Sequence, residues 1–328
     1  MKPIKGNVKW GIVGCGDVTE KKSGPAFQKA PNSELIAVMR RDGAKAADFA
    51  KRHGVPKWYD NADKLINDPD INAIYVATPP DTHLSYTVLA MKAGKPVYVE
   101  KPMARSAAEC QAMIDASKET GMPLFVAYYR RAMPYFLKLK GLMDMKAIGD
   151  VKMINIALHW PAYPEELGGK PRWRVNPAIS GGSHFHDLAS HQFDWLEYAF
   201  GPIKEAKGVK VNQAGLYPVE DAVSASFLFE SGIIGTGSWC YTVPAKQRMD
   251  VTEIIGSRGR ISFSFFSSPI IHVETETMVE NFEIPYPEHV HQPLVELIVK
   301  ELRGEGKSPS TGETGLRANW IMDEICGK

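Results

Sequence analysis

Between residues 8 and 127 short apolar runs alternate with amphipathic stretches, and this alternation restricts the possible folds more than any other feature of the sequence. Val8 to Val13, Glu34 to Met39, Ala73 to Ala77, Pro96 to Val99 and Leu124 to Ala127 read as buried strands. Val18 to Ala30, Ala44 to His53, Asp60 to Asn67, Thr82 to Ala93 and Ala107 to Thr120 read as helices. Strand and helix in regular turn predict a parallel sheet covered on both faces. Near Gly149 the pattern changes. Val151 to His159, Ile203 to Val211, Ala222 to Phe229, Ile233 to Tyr241, Arg248 to Ile255, Arg260 to Phe265 and Ile270 to Glu274 are strand-like with short turns between them, which predicts a large, mainly antiparallel open sheet. Helices are expected at Gln292 to Arg303 and Gly312 to Cys326. A chain of 328 residues is long enough for two such domains, 1–127 and 128–328, joined by a helical seam at 128–150 rather than by a tether. The fold class is α/β in both parts.

The first turn of the alternation carries Gly14-Cys15-Gly16-Asp17-Val18-Thr19, at the end of one strand and the start of a helix. This is where a dinucleotide pyrophosphate meets unpaired helix N–H groups, although Thr19 replaces the third glycine and a ligand-free turn would use the same residues. The second strand ends in Arg40-Arg41-Asp42, with Arg40 where an acid would bind the ribose 2′-hydroxyl of NAD. Two guanidiniums suit a 2′-phosphate and favour NADP; Asp42 keeps NAD open. Thr78-Pro79-Pro80-Asp81-Thr82-His83 and Glu100-Lys101-Pro102 follow two further strands, again at the ligand-binding edge of an open α/β sheet. Lys101 is either half of a surface ion pair or a charge aimed at a ligand.

Residues 181–194, Gly-Gly-Ser-His-Phe-His-Asp-Leu-Ala-Ser-His-Gln-Phe-Asp, concentrate the titratable groups. Wound as a helix at about 100° per residue, they place His184, Asp187, His191 and Asp194 on one stripe. Phe185, Leu188, Ala189, Leu196, Ala199 and Phe200 form an anchoring face, and His186, Ser190 and Glu197 are expected to face solvent. His184, Asp187 and His191 have spacing that could converge on zinc, but acid/base work explains them without a metal.

The net charge of +1 and the lack of a basic run exclude a nucleic-acid footprint. No stretch is apolar enough to act as a secretory signal or to span a bilayer, so no membrane association is expected. Cys15, Cys110, Cys240 and Cys326 lack paired spacing, which fits reduced thiols in the cytoplasm.

Taken together, the segments at 11–19, 76–83, 99–103, 127–134 and 173–194 resemble the glucose-fructose oxidoreductase/inositol dehydrogenase (Gfo/Idh/MocA) family. Its most specific pairing is Glu100-Lys101-Pro102 with Gly181-Gly182, Asp187, His191 and Asp194. The resemblance implies an N-terminal Rossmann domain and an NAD(P)-dependent dehydrogenase or reductase acting on a sugar, polyol or related secondary alcohol or carbonyl. It implies Lys101, Asp187 and His191 as the catalytic set. Cofactor contacts would fall on Gly14, Gly16, Asp17, Val18, Arg40, Arg41, Thr78, Pro79, Pro80, His83, Glu100, Lys101, Tyr128 and Arg174. Substrate contacts would fall on Lys101, Arg130, Trp173, His184, Asp187 and His191, and no metal is implied. Trp160, Tyr163, Trp173 and Tyr241 could stack on a sugar ring. Ser183, His184, His186 and the Ala189-Ser190 step depart from the family pattern, which leaves the substrate open. Redox-neutral glycoside cleavage or epimerisation with retained nucleotide, and a nucleotide-binding protein without turnover, also remain open. The open sheet is expected to be covered in a homodimer or homotetramer.

Overall fold

The five apolar runs of the first part form strands of a six-stranded parallel sheet in the computed structural model, which describes residues 1–328. In chain order the elements are β1 (Val8–Val13), α1 (Asp17–Lys21), α2 (Gly24–Lys29), β2 (Ser33–Met39), α3 (Gly43–His53), β3 (Lys57–Tyr59), α4 (Ala62–Ile66), β4 (Ala73–Val76), α5 (His83–Lys92), β5 (Val97–Val99), α6 (Ala107–Thr120) and β6 (Leu124–Val126). The sheet order is β3-β2-β1-β4-β5-β6. The direction of strand addition reverses between β1 and β4, which creates the switch point beside which open α/β sheets bind ligands. β4 and β5 are buried throughout and β1 at all but one position, as a sheet covered on both faces requires.

Two local features differ from the sequence expectation. The single helix expected over Val18 to Ala30 is two, because Pro25 has no N–H to continue the ladder of α1. Gly24 also lies so close to the Thr19 carbonyl oxygen that a Cβ would stand 2.2 Å from it. The strand β3 was not expected; three residues at a half-exposed sheet edge carry no apolar run to announce it.

The second part contains α7 (Pro134–Asp144), β7 (Val151–His159), α8 (Pro164–Leu167), α9 (Pro177–Ser180), α10 (His184–Phe200), β8 (Ile203–Val211), β9 (Ala222–Phe229), β10 (Ile234–Cys240), β11 (Met249–Gly256), β12 (Gly259–Phe263), β13 (Ile270–Thr275) and β14 (Val279–Glu283), followed by α11 (Gln292–Leu302) and α12 (Gly312–Cys326). Its eight strands run β14-β13-β12-β11-β7-β10-β9-β8, antiparallel except where β10 pairs with β7. Alternation decides the faces. Ile154, Ile156 and Leu158 of β7 and Ile254 of β11 are buried, whereas Met153, Met249 and Val251 point outward. On the inner face Phe185 and Phe193 of α10 pack against Trp239 with ring centroids 5.0 and 5.8 Å apart, and Trp195 packs against Phe263 at 5.5 Å. β14 is an exposed edge strand that the apolar pattern did not indicate.

The chain folds as two compact units, Met1–Met133 with Pro287–Leu316, and Pro134–Tyr286 with Arg317–Lys328. The division expected after residue 127 compares with one after Met133 here, and the chain later returns to the first unit. The return has a packing cause: α11 buries Leu294, Val295 and Ile298 while lying on α2 and on the 3-10 turn Tyr129–Ala132. Ser310 Oγ then donates to the Val126 carbonyl at 2.8 Å. An amphipathic helix read from sequence does not say which unit it will cover. No helix is long and apolar enough to cross a membrane.

Candidate active site

In the first unit, the carboxyl ends of β1, β2, β4 and β5 bring four expected segments to one edge of the sheet. Gly14 has φ +95°, a backbone that L side chains rarely adopt, and a Cβ there would meet Thr78 Cγ2 at 2.7 Å. Gly16 has only the Gly14 oxygen near it, at 4.0 Å, so the protein itself leaves space above that backbone. Asp17 is exposed and Val18 half-buried at the start of α1. Thr19 is turned inward and donates from Oγ1 to the Gly16 carbonyl at 2.7 Å.

Arg40 and Arg41 are exposed at the end of β2, and Arg40 Nη1 reaches the Cys15 carbonyl at 3.4 Å, inside the glycine turn. Asp42 caps α3, accepting from the Lys45 N–H at 3.2 Å. Thr78 and Pro79 are half-buried and Pro80 is buried.

His83 and Glu100, both expected at the cofactor, have polar atoms engaged within the protein. The fully buried His83 ring places Nε2 2.7 Å from the Thr78 carbonyl, and Nδ1 3.1 and 3.2 Å from the Pro102 and Met103 carbonyls. It thereby braces the loop after β4 against the loop after β5. Glu100 turns inward, where Oε1 accepts from the Tyr75 hydroxyl and Oε2 accepts from the Lys101 N–H at 3.1 Å. Burial pushes its carboxyl above the usual range, against the Tyr75 bond and the nearby Lys101 charge. His291 Nε2 lies 3.5 Å from the same carboxylate, and Nδ1 lies 2.9 Å from the Tyr98 hydroxyl. Burial, helped by the charges of Lys22, Lys101 and Arg130, pushes His291 down to about 3. His291, Tyr75 and Tyr98 were not singled out in the sequence; nothing local links position 291 to Glu100. Tyr128 is fully buried after β6, and the buried Arg130 lies over the Tyr129 ring at 5.1 Å.

In the second unit, α10 starts at Ser183, whose Oγ accepts from the Phe185 N–H at 3.1 Å, while His186 Nδ1 accepts from the Ser183 N–H at 3.3 Å. Such a cap contributes about 1 kcal/mol. Eleven of the 17 residues of α10 are buried, so the expected solvent face does not exist. Ser190 and His186 are buried, and Glu197 binds Arg317 at 2.8 Å. The wheel gives directions correctly but not which of them the rest of the unit covers.

Asp187 and His191, one turn apart, keep their shared stripe. Asp187 Oδ2 accepts from Arg174 Nε at 3.0 Å, and the Arg174 guanidinium lies over Trp173 at 4.6 Å. His191 is 3% exposed and stands edge-on to Phe266, ring centroids 6.2 Å apart. His184, expected to read the substrate, has a partner within the protein. Its Nε2 is 2.6 Å from Glu166 Oε1, both groups are buried, and its ring sits among Tyr163, Tyr217 and Tyr241. His184 thus pairs with Glu166 and Asp187 with Arg174.

Around this helix the buried hydroxyls of Tyr217 and Tyr241 and the indole N–H of Trp160 have no hydrogen-bond partner. Burial raises Tyr163 and Tyr241, and the negative charge of Asp187 adds to both shifts. The Tyr163 ring and the unsatisfied Tyr241 hydroxyl therefore lie near the Asp187 carboxylate.

Residues 8–128 match the family model for the GFO_IDH_MocA oxidoreductase family with NAD-binding Rossmann fold, and residues 136–262 match the GFO/IDH/MocA C-terminal domain. The chain is 40% identical over 327 residues to Oxidoreductase P35 of Formosa agariphila, covering 99% of this chain and 100% of that one. It is 33% identical over 298 residues to a trans-1,2-dihydrobenzene-1,2-diol dehydrogenase of Xenopus laevis, covering 87% and 83%. Among solved structures, a levoglucosan dehydrogenase in complex with NADH and levoglucosan has the same fold, with TM-score 0.86, 22% identity, and 98% and 96% coverage.

Proposed function

The chain belongs to the GFO/IDH/MocA oxidoreductase family, and from that premise we propose that it moves a hydride between NADP and a secondary hydroxyl of a sugar or polyol. The observation that carries the substrate class is the buried, unpartnered hydroxyl of Tyr241 near the Asp187 carboxylate, with further unpartnered buried donors on Tyr217 and Trp160. Buried polar groups are costly unless paired, and a polyhydroxylated ligand supplies several acceptors at once beside aromatic faces. The levoglucosan named for the solved relative is a molecule of this kind.

The glycine turn fits a dinucleotide, since Gly14 takes the left-handed backbone and Gly16 leaves open space where a pyrophosphate would approach. When bound, the nicotinamide accepts or supplies the hydride. His191 takes the proton of the substrate hydroxyl, Asp187 orients that exchange while Arg174 holds its carboxylate, and Lys101 stabilises the developing alkoxide. In the reductive direction the proton returns from the same groups. The test is nicotinamide absorbance across a panel of sugars and polyols. Reduction with at least one of them is expected; glycoside cleavage without net reduction, or no redox change on any, overturns the reading.

The preference for NADP rests on Arg40 beside the glycine turn and on Asp42 being committed to the cap of α3. A charge-assisted hydrogen bond contributes about 1.5–3 kcal/mol, so Arg40→Asp should shift the NADP/NAD ratio of kcat/KM about tenfold to a hundredfold toward NAD. An unchanged ratio means that Arg40 does not hold the 2′-phosphate.

The outward sheet face, with Met153, Ile234, Met249, Val251 and Ile270 exposed, is assigned as the contact of a homodimer or homotetramer. Light scattering at micromolar concentration should give at least twice the chain mass; a monomer refutes it. The four free thiols suit the reducing cytoplasm that we assign as the compartment.

A further inference from the structure

His186 points away from the stripe of Asp187 and His191 and into a second cluster of the same unit. An imidazole nitrogen of His186, a carboxylate oxygen of Glu220 and the sulfur of Cys326 all lie within 4.8 Å of one another. His186 and Cys326 are 4% and 3% exposed, and the Glu220 side chain 10%. They come from the first turn of α10, the segment before β9 and the end of α12. The second glycine of the entry segment is what admits the imidazole: a Cβ on Gly182 would stand 2.1 Å from His186 Nδ1.

The cluster is not satisfied by its own hydrogen bonds. Glu220 Oε1 is buried and has no hydrogen-bond partner, with His186 Nδ1 3.4 Å away. That nitrogen already accepts from the Ser183 N–H at 3.3 Å, and His186 Nε2 faces the Lys328 ammonium at 3.0 Å. A buried carboxylate oxygen without a donor is a costly arrangement in a protein interior.

We propose that His186, Glu220 and Cys326 form a binding site for a divalent transition metal of the zinc type, which ties the end of α12 and the segment before β9 to the first turn of α10. Thiolate with imidazole selects zinc or cobalt over magnesium or calcium, and a carboxylate completes three protein ligands with a position left for water. Metal–ligand bonds of about 2.0–2.3 Å bring ligand atoms to within about 4 Å of each other, so the present spacing closes by about 1 Å of side-chain movement. On binding, a metal–sulfur bond replaces the S–H bond of Cys326 and one proton leaves to solvent, with no change of oxidation state. The exposed Lys328 ammonium withdraws from His186 as the cation enters. The site is separate from the residues assigned to hydride transfer, although its metal would fix the turn from which Asp187 projects.

The test needs neither cofactor nor substrate. Chelator-stripped full-length protein is titrated with Co²⁺ and followed by absorbance. One equivalent should develop a thiolate-to-cobalt charge-transfer band with visible bands of tetrahedral intensity, and Zn²⁺ should displace it. Cys326→Ser, nearly isosteric, should abolish the charge-transfer band, and Glu220→Gln and His186→Gln should weaken Co²⁺ binding at least tenfold in variants whose circular dichroism is unchanged. Zn²⁺ should raise the Tm of the parent protein and leave that of Cys326→Ser unmoved. A parent protein without a saturable cobalt band overturns the proposal, as does a band that survives Cys326→Ser. The parent titration and Cys326→Ser decide the matter even if His186→Gln fails to fold.

Discussion

Replacement of His191 by alanine is expected to lower kcat/KM for alcohol oxidation by about 10²–10⁴, with the Kd for NADP within about twofold of the parent. The expectation follows from placement. His191 sits on the stripe it shares with Asp187, buried and edge-on to Phe266, and Asp187 is held in turn by Arg174. Imidazole is the side chain whose ordinary titration lies closest to neutrality, so it can take a hydroxyl proton and return it under one set of conditions. Without it the proton must go to water, and the acid limb of the kcat/KM profile should flatten. A structural role would instead change Tm and cofactor affinity together and leave the shape of the pH profile intact. Turnover within tenfold of the parent, with an unchanged profile, removes His191 from the mechanism.

Where the sequence was legible, a periodicity was driven by burial. β4 and β5 are continuous apolar runs, and β1 is one interrupted at Lys9, because helices cover both of their faces, and β7 and β11 of the second unit alternate because only one face is covered. β3 and β14 escaped because edge strands need no apolar run. The glycine turn was legible although Thr19 stands in place of the third glycine; the break between α1 and α2 was not, because the pattern of apolar residues does not record it. The helix α10 was legible as geometry and misread in part as environment. His184 meets Glu166 from a four-residue helix 18 positions earlier, and His186 meets Glu220 and Cys326 from positions 34 and 140 residues later. Helical spacing fixes direction from the axis; what stands in that direction is decided by tertiary packing. The same holds for Glu100, whose neighbour His291 arrives with α11, an amphipathic helix whose docking side no local pattern specifies.

Lys101→Ala is the counterpart on the first unit, and its expected loss is about 10²–10³ in kcat, the magnitude associated with removing a donor to a developing oxyanion. The loop that carries Lys101 is fixed at both ends of the residue. Its N–H is held by Glu100 Oε2 at 3.1 Å, and the carbonyls of Pro102 and Met103 face the His83 ring. Glu100 is itself tied to Tyr75, so truncating the lysine side chain leaves this backbone frame standing. Cofactor affinity should therefore change little while kcat falls, a split that separates transition-state stabilisation from loop collapse. Lys101→Arg keeps the charge, but the planar guanidinium cannot occupy the position of a compact ammonium, so it should recover less than a tenth of parental turnover. Lys101→Ala with parental kcat would exclude the lysine from the reaction. Equal losses in kcat and NADP affinity, accompanied by a lower Tm, would assign it to the loop instead.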